Sequence, residues 1–143
     1  METQSVDKFK HLKLRILSGE FKYVLFKDDA QLKEALPKLC SLALETEPFF
    51  LFRTSADRSA IVPAHVEVTA EKIQGSWIGI RIIGEMPFGT VQGLIATVTE
   101  ALRKKGMGAC VISTYLTDFF LIKKDNLTTA KATLEAEGWV FVE

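Results

Sequence analysis

Residues 77–127 decide the fold prediction, and they read WIGIRIIGEMPFGTVQGLIATVTEALRKKGMGACVISTYLTDFFLIKKDNL. At the start of this stretch apolar side chains alternate, which is typical of a strand with Ile78, Ile80 and Ile82 on one face. After Pro87 the apolar spacing lengthens to about 3.6 residues, the period of an α-helix. We expect Thr90 to be the N-cap of this helix. The helix is expected to end near residue 106, where lysines are followed by a glycine.

The residues that follow predict two strands, a helix and a last strand. Ala109–Tyr115 and Phe119–Lys123 are apolar runs of β type joined by a short polar link. A Leu-striped helix is expected over residues 125–138, and Trp139–Val142 is expected to be a strand. The order strand, helix, strand, strand, helix, strand is that of the ferredoxin-like βαββαβ domain, an α+β fold. We expect a four-stranded antiparallel sheet with both helices on one face, and Trp77 and Arg81 on the uncovered face.

The N-terminal half gives a weaker pattern of strands around one helix. Leu12–Leu17 and Phe21–Phe26 flank a Ser-Gly-Glu turn and predict a hairpin. A leucine stripe follows, in which Pro37 is expected to break or restart the helix. A second hairpin is expected around Thr54–Ser59.

A short internal similarity indicates two related units. YVLFKDD at residues 23–29 resembles FFLIKKD at residues 119–125, and each segment passes from a strand into a Leu-striped helix. We therefore divide the chain into residues 1–74 and residues 75–143.

Composition excludes several classes of protein. With 143 residues, 48% of them hydrophobic, the chain is large enough for a real core in one or two small domains. The formal net charge is zero, which gives no electrostatic footprint for nucleic acid. No apolar run approaches the ~20 residues of a membrane span. Cys40 and Cys110 lack metal-binding spacing, so we expect no metal site and a reducing, cytoplasmic location.

Sequence motifs of catalysis are missing. The chain has no P-loop, GxGxxG, GxSxG or HExxH motif. His11 and His65 have no nearby partner motif, and we interpret both as surface residues. We therefore expect no catalytic residue and no cofactor, and we do not expect an enzyme.

Two segments suit a ligand that carries both a carboxylate and an ammonium group. Glu85–Gly93 leads into a helix N-terminus, where free backbone N–H groups and the helix dipole favour an anion. Asp118 suits an ammonium group, with hydroxyls from Ser113 and Thr114 and an aromatic wall from Tyr115 beside it. The structural alternatives are ordinary loop packing for the first segment and a turn-stabilising role for Asp118. A free amino acid carries both charges, so together the two features predict an amino-acid site.

Residues 84–142 resemble the ACT domain, and Ile112–Asp118 (ISTYLTD) is the most specific part of the resemblance. The likeness is greatest to the form found in CASTOR-type cytosolic arginine sensors and in small bacterial proteins with two ACT-like units. LKLRILSGEFKYVLF and FFLFRTSADRSAIVP in the N-terminal half resemble the first unit of those bacterial proteins more weakly. The resemblance implies an amino-acid-binding module that regulates another activity. Residues 89–93 lack the acidic residue of the sensors, so the resemblance leaves amino-acid binding in general open without singling out arginine.

The expected function is therefore a regulatory or ligand-sensing protein that binds an amino acid or a similar small zwitterion. We expect it to be a cytoplasmic homodimer without catalysis and without nucleic-acid or membrane partners. The expected ligand-binding residues are Gly93, Leu94, Ser113, Thr114, Tyr115 and Asp118. The alternative is a structural protein–protein interaction module that has the ACT fold and no ligand.

Overall fold

The computed structural model describes residues 9–45, 47–86 and 92–143. The strands and helices of these residues are β1 Lys13–Ile16, β2 Phe21–Leu25, α1 Asp29–Leu42, β3 Phe50–Arg53, β4 Arg58–Pro63, β5 Lys72–Ile83, α2 Leu94–Arg103, β6 Cys110–Ser113, β7 Asp118–Lys123, α3 Leu127–Ala136 and β8 Phe141–Val142. None of the described helices has the length and apolar character needed to cross a bilayer.

The chain divides into two compact units. Gly19–Trp77 form the N-terminal unit, and residues 9–18 together with Ile78–Glu143 form the C-terminal unit. The sequence placed the division after residue 74, whereas the boundary between the compact units lies between Trp77 and Ile78. In addition, β1 belongs to the C-terminal unit.

The C-terminal unit has the predicted order of elements, β5, α2, β6, β7, α3 and β8. Its core contains the alternating residues Ile78, Ile80 and Ile82 of β5, which pack with apolar residues of both helices. Because the two helices contribute to one cluster with the same face of β5, they cover one face of the sheet, as predicted. The α+β ferredoxin-like fold is thus confirmed.

One strand of the C-terminal unit was predicted wrongly. β1 pairs antiparallel with β5 on one side and parallel with β8 on the other, so the order of strands is β6-β7-β5-β1-β8. The sheet therefore has five strands rather than four. β1 and β2 do not form the predicted hairpin, because β2 pairs with β4 and with residues 72–77 of β5. Leu14 of β1 is fully buried in the core of this unit, and its burial accounts for the long-range pairing.

The N-terminal unit has the strand order β3-β4-β2-β5, which matches the C-terminal order without the inserted β1. One helix, α1, covers its apolar cluster, and residues 64–71 connect β4 to β5 without a helix. The predicted break at Pro37 is wrong, since α1 runs continuously through it from the N-cap Asp28. Trp77, which the sequence placed on an uncovered face, packs edge-on against Tyr23 in this unit.

The assignment of β1 to the C-terminal core predicts the effect of shortening its central side chain. Leu14→Ala should lower the free energy of unfolding by about 2–5 kcal/mol, because the fully buried leucine leaves a cavity. Leu44→Ala is the control, since Leu44 is 91% exposed, and it should change stability by less than about 0.5 kcal/mol. Urea denaturation measures both, and equal losses would contradict the placement of β1.

Candidate functional site

The β6–β7 hairpin holds most of the predicted ligand-binding residues. The strands pair from Cys110 opposite Leu121 to Ser113 opposite Asp118. In the turn, the Thr114 backbone N–H donates to the Thr117 carbonyl at 2.8 Å, and the Thr114 hydroxyl accepts from the Thr117 N–H at 3.2 Å. The Thr114 hydroxyl therefore closes the turn, a role that the sequence analysis did not assign to it.

Asp118 lies on the helix-bearing face of the sheet. Its side chain lies on the same face of β7 as those of Phe120 and Ile122, which both belong to the core beneath α2 and α3. The Ser113 hydroxyl donates to the Asp118 carboxylate at 2.5 Å across the strand pair. Asp118 thus accepts a hydrogen bond from one of its predicted partners, and its second carboxylate oxygen has no hydrogen-bond partner among the described residues.

A buried hydrogen bond fastens this hairpin to the end of β5. Thr117 is 7% exposed, and its hydroxyl donates to the Ile82 carbonyl at 2.7 Å. β5 ends one residue later, and the chain then continues to α2, whose first residue Leu94 packs in the same core as Ile82. The hairpin and the N-terminus of α2 are therefore at the same end of the C-terminal unit.

The N-cap residue of α2 is a glycine. Gly93 has a left-handed backbone (φ 81°) that favours glycine, and it has no side chain of its own to accept from the N–H groups of the first turn. The first turn also contains no acidic residue. The N-cap predicted from the sequence, Thr90, lies outside the described residues.

The remaining predicted residues differ in what they offer a ligand. Leu94 is 2% exposed and packs in the core, so only its backbone N–H faces the start of the helix. Tyr115 is 73% exposed at the tip of the hairpin, so within this unit its ring does not form a buried wall. The structure thus places the Gly93–Leu94 backbone and the Ser113–Asp118 pair at one end of the unit.

The N-terminal unit contains a hairpin of the same construction. In the β3–β4 turn, the Thr54 N–H donates to the Asp57 carbonyl at 3.0 Å, and the Thr54 hydroxyl accepts from the N–H groups of Ala56 and Asp57. Arg53 and Arg58 pair across the strands, as Ser113 and Asp118 do in the other hairpin. Arg58 therefore takes the position in the N-terminal unit that Asp118 takes in the C-terminal unit.

The charges at the helix starts of the two units differ in a corresponding way. In the N-terminal unit the Asp28 carboxylate accepts from the Gln31 N–H at 3.0 Å and caps α1. The next residue, Asp29, forms an ion pair and a hydrogen bond with Arg58, and this contact lowers the pKa of the Asp29 carboxyl. Carboxylates of the chain thus occupy the start of α1, whereas the first turn of α2 contains no acidic residue. This contrast could not be predicted from the sequence, because only the fold shows that Asp28 and Asp29 correspond to Gly93 and Leu94.

The N-terminal unit also contains a cavity of about 520 Å³ that the sequence analysis did not identify. It lies between α1 and the connection of residues 64–71, above strands β2 and β5. The Lys38 ammonium donates to the Glu67 carbonyl at 2.6 Å and links the two walls. The residues that line the cavity are Lys22, Gln31, Glu34, Ala35, Lys38, Glu67, Val68, Thr69 and Ile73.

Comparison with known proteins gives the class of the fold. Residues 72–136 match the family model of the ACT domain. Among solved structures, the chain is similar to protein Atu0741 from Agrobacterium tumefaciens, with a TM-score of 0.73 and 21% identity over 92% of each chain. A protein of unknown function from Vibrio cholerae, VC0802, described as a possible transport protein, has a TM-score of 0.63 and 18% identity over 89% of this chain and 90% of its own.

The chain is also similar to the regulatory subunit of aspartate kinase from Thermus flavus. The TM-score is 0.59 and the identity is 7%, over 87% of this chain and 96% of that subunit. No curated protein matches the chain significantly. The predicted ACT resemblance is thus confirmed for residues 72–136, and the solved structures show the same fold.

The contact between Thr117 and Ile82 predicts a stability effect. Thr117→Val keeps the shape of the side chain and removes the hydroxyl, so a buried carbonyl loses a donor. The free energy of unfolding should fall by about 1–3 kcal/mol. Thr99→Val is the matched control, because the Thr99 hydroxyl bonds to the Ile95 carbonyl on an exposed part of α2. Urea denaturation compares them, and a Thr117→Val loss no larger than that of the control would contradict the role of this bond.

The Asp29–Arg58 pair predicts a pH dependence. Because Arg58 lowers the pKa of Asp29 in the folded protein, the pair stabilises above about pH 3.8, the ordinary aspartate pKa, and this stabilisation disappears as the pH falls through the lowered value. Asp29→Asn should therefore lower the melting temperature at pH 6 and have less effect below pH 3. Asp125→Asn is the charge-matched control. A difference between wild type and Asp29→Asn that is the same at both pH values would refute this interpretation.

Proposed function

We propose that this protein is a non-catalytic regulatory or sensor protein, and that it binds an amino acid at the start of α2 and the β6–β7 hairpin. The observation that carries the proposal is the contrast between the two units. Asp28 and Asp29 occupy the start of α1, and Arg58 of the neighbouring hairpin binds one of them. In the C-terminal unit the first turn of α2 contains no acidic residue, and the hairpin carries Asp118 instead of an arginine.

The bound amino acid would supply the charges that the C-terminal unit lacks. Its α-carboxylate would accept hydrogen bonds from the first-turn N–H groups of α2, where the helix dipole favours a negative charge. Its ammonium group would donate to Asp118, which Ser113 already orients through a hydrogen bond of 2.5 Å. Affinities from millimolar to micromolar need about 4–8 kcal/mol, which a few charge-assisted hydrogen bonds can supply.

The comparisons support a regulatory role. ACT domains typically bind amino acids, and the similar chains include regulatory subunits of aspartate kinase. The proposal also includes a resemblance to cytosolic arginine sensors, a homodimer and a cytoplasmic location. A homodimer would be tested by light scattering at micromolar concentration, where a strict monomer would contradict it.

The alternative function is an interaction module without a ligand. One observation favours it, since Asp118 already has a hydrogen-bond partner in Ser113 and is satisfied in part without a ligand. Under this alternative, Asp118→Ala and Ser113→Ala would change the stability of the protein, and neither the wild type nor the variants would bind an amino acid.

Titration calorimetry against the twenty amino acids tests the proposal. At least one should bind with a Kd in the millimolar range or tighter, and Asp118→Asn should weaken it at least tenfold, because the ammonium loses its charged partner. Asp57→Asn, in the corresponding turn of the N-terminal unit, is the matched control and should leave the affinity unchanged. No binding at millimolar concentration, or an unchanged Kd in Asp118→Asn, would contradict the proposal.

A further inference from the structure

Two arginines lie directly opposite each other on the sheet of the C-terminal unit. Arg15 of β1 and Arg81 of β5 are paired in register. Their neighbours in each strand, Leu14, Ile80 and Ile82, point into the core beneath α2 and α3. Because side chains alternate along a strand, both arginines lie on the other face, which we call the helix-free face.

The guanidinium groups of these arginines have few hydrogen-bond partners among the described residues. The Nε atoms of both arginines are buried and have no hydrogen-bond partner among the described residues. Arg15 donates through Nη2 to a main-chain oxygen of Glu143, the last residue of the sequence, at 3.0 Å, whereas no hydrogen bond or ion pair of Arg81 is found in the described part of the chain. Like charges directly opposite each other destabilise a strand pair, and a buried donor without an acceptor is also costly.

The other charged positions of this face do not relieve the repulsion. By the same alternation, the charged strand residues on the helix-free face are Lys13, Arg15, Arg81 and Lys123, and none of the described strand residues on it is acidic. The chain as a whole has equal numbers of acidic and basic residues, so this local excess of positive charge is a property of the face rather than of the protein.

We propose that the Arg15–Arg81 pair is a binding site for an oxyanion, a phosphate or a carboxylate group. Two guanidinium groups on adjacent strands bring several N–H donors to one place, and guanidinium matches carboxylate and phosphate in a bidentate geometry. The oxyanion neutralises the repulsion between the two arginines and gives their donors acceptors. This site is independent of the proposed amino-acid site, because Asp118 lies on the helix-bearing face.

The site predicts opposite effects of one substitution on stability and on binding. Arg81→Met keeps much of the apolar stem and removes the charge, so without an oxyanion its melting temperature should be about 2–5 °C above that of the wild type. Arg103→Met is the control, because Arg103 is an exposed arginine that pairs with Glu100, and it should not raise the melting temperature. A melting temperature of Arg81→Met below that of the wild type would overturn the proposal.

Oxyanion binding is measured by thermal shift with inorganic phosphate and, separately, succinate, each compared with sodium chloride at equal ionic strength. At least one of them should raise the melting temperature of the wild type and of Arg103→Met more than that of Arg81→Met. The two arms distinguish a phosphate ligand from a carboxylate ligand. Arg81→Lys, which keeps the charge without the planar fork, should lose most of the specific shift. Equal shifts in all variants, or no shift beyond that of chloride, would overturn the proposal.

Discussion

The hydrogen bond from the Thr117 hydroxyl to the Ile82 carbonyl is the contact on which the candidate site depends. It joins the β6–β7 turn to the C-terminal end of β5, the strand from which the chain passes to α2. Strand pairing and the core packing of Phe120 and Ile122 hold β7 in the unit, and this bond adds a direct link between the hairpin turn and the end of β5. A buried hydroxyl is suited to this task, because the carbonyl it satisfies would otherwise be costly to bury.

The two units of the chain use the same scaffold with different charges. Each has a threonine, at position 54 or 114, that closes its hairpin turn. In each hairpin the second strand begins with a charged residue, Arg58 or Asp118. In the N-terminal unit the opposite charge comes from Asp29 at the start of the helix. In the C-terminal unit the chain supplies no such charge at the helix start, and this absence among the described residues is what an amino acid would fill.

Much of the fold could be predicted from local patterns. The change of period after Pro87 and the stops near Gly106 and Gly138 depend on neighbouring residues, and they predicted the existence of α2 and α3 and the ends of both helices, while α2 begins only after the N-cap Gly93. The position of β1 could not be predicted in this way, because its partners β5 and β8 lie far away in the sequence. Of the candidate site, Asp118 and the helix start were found from their chemistry. The turn-closing role of Thr114 needed the register of the hairpin.

The most direct test of the proposed amino-acid site is an amide NMR titration of the full chain with the amino acid that calorimetry identifies. We predict that the signals of Gly93, Leu94 and Ile95 shift together with those of residues 113–118, at one common Kd. Shifts confined to the residues around the N-terminal cavity, such as Glu34 and Ile73, would place the ligand elsewhere and contradict the account.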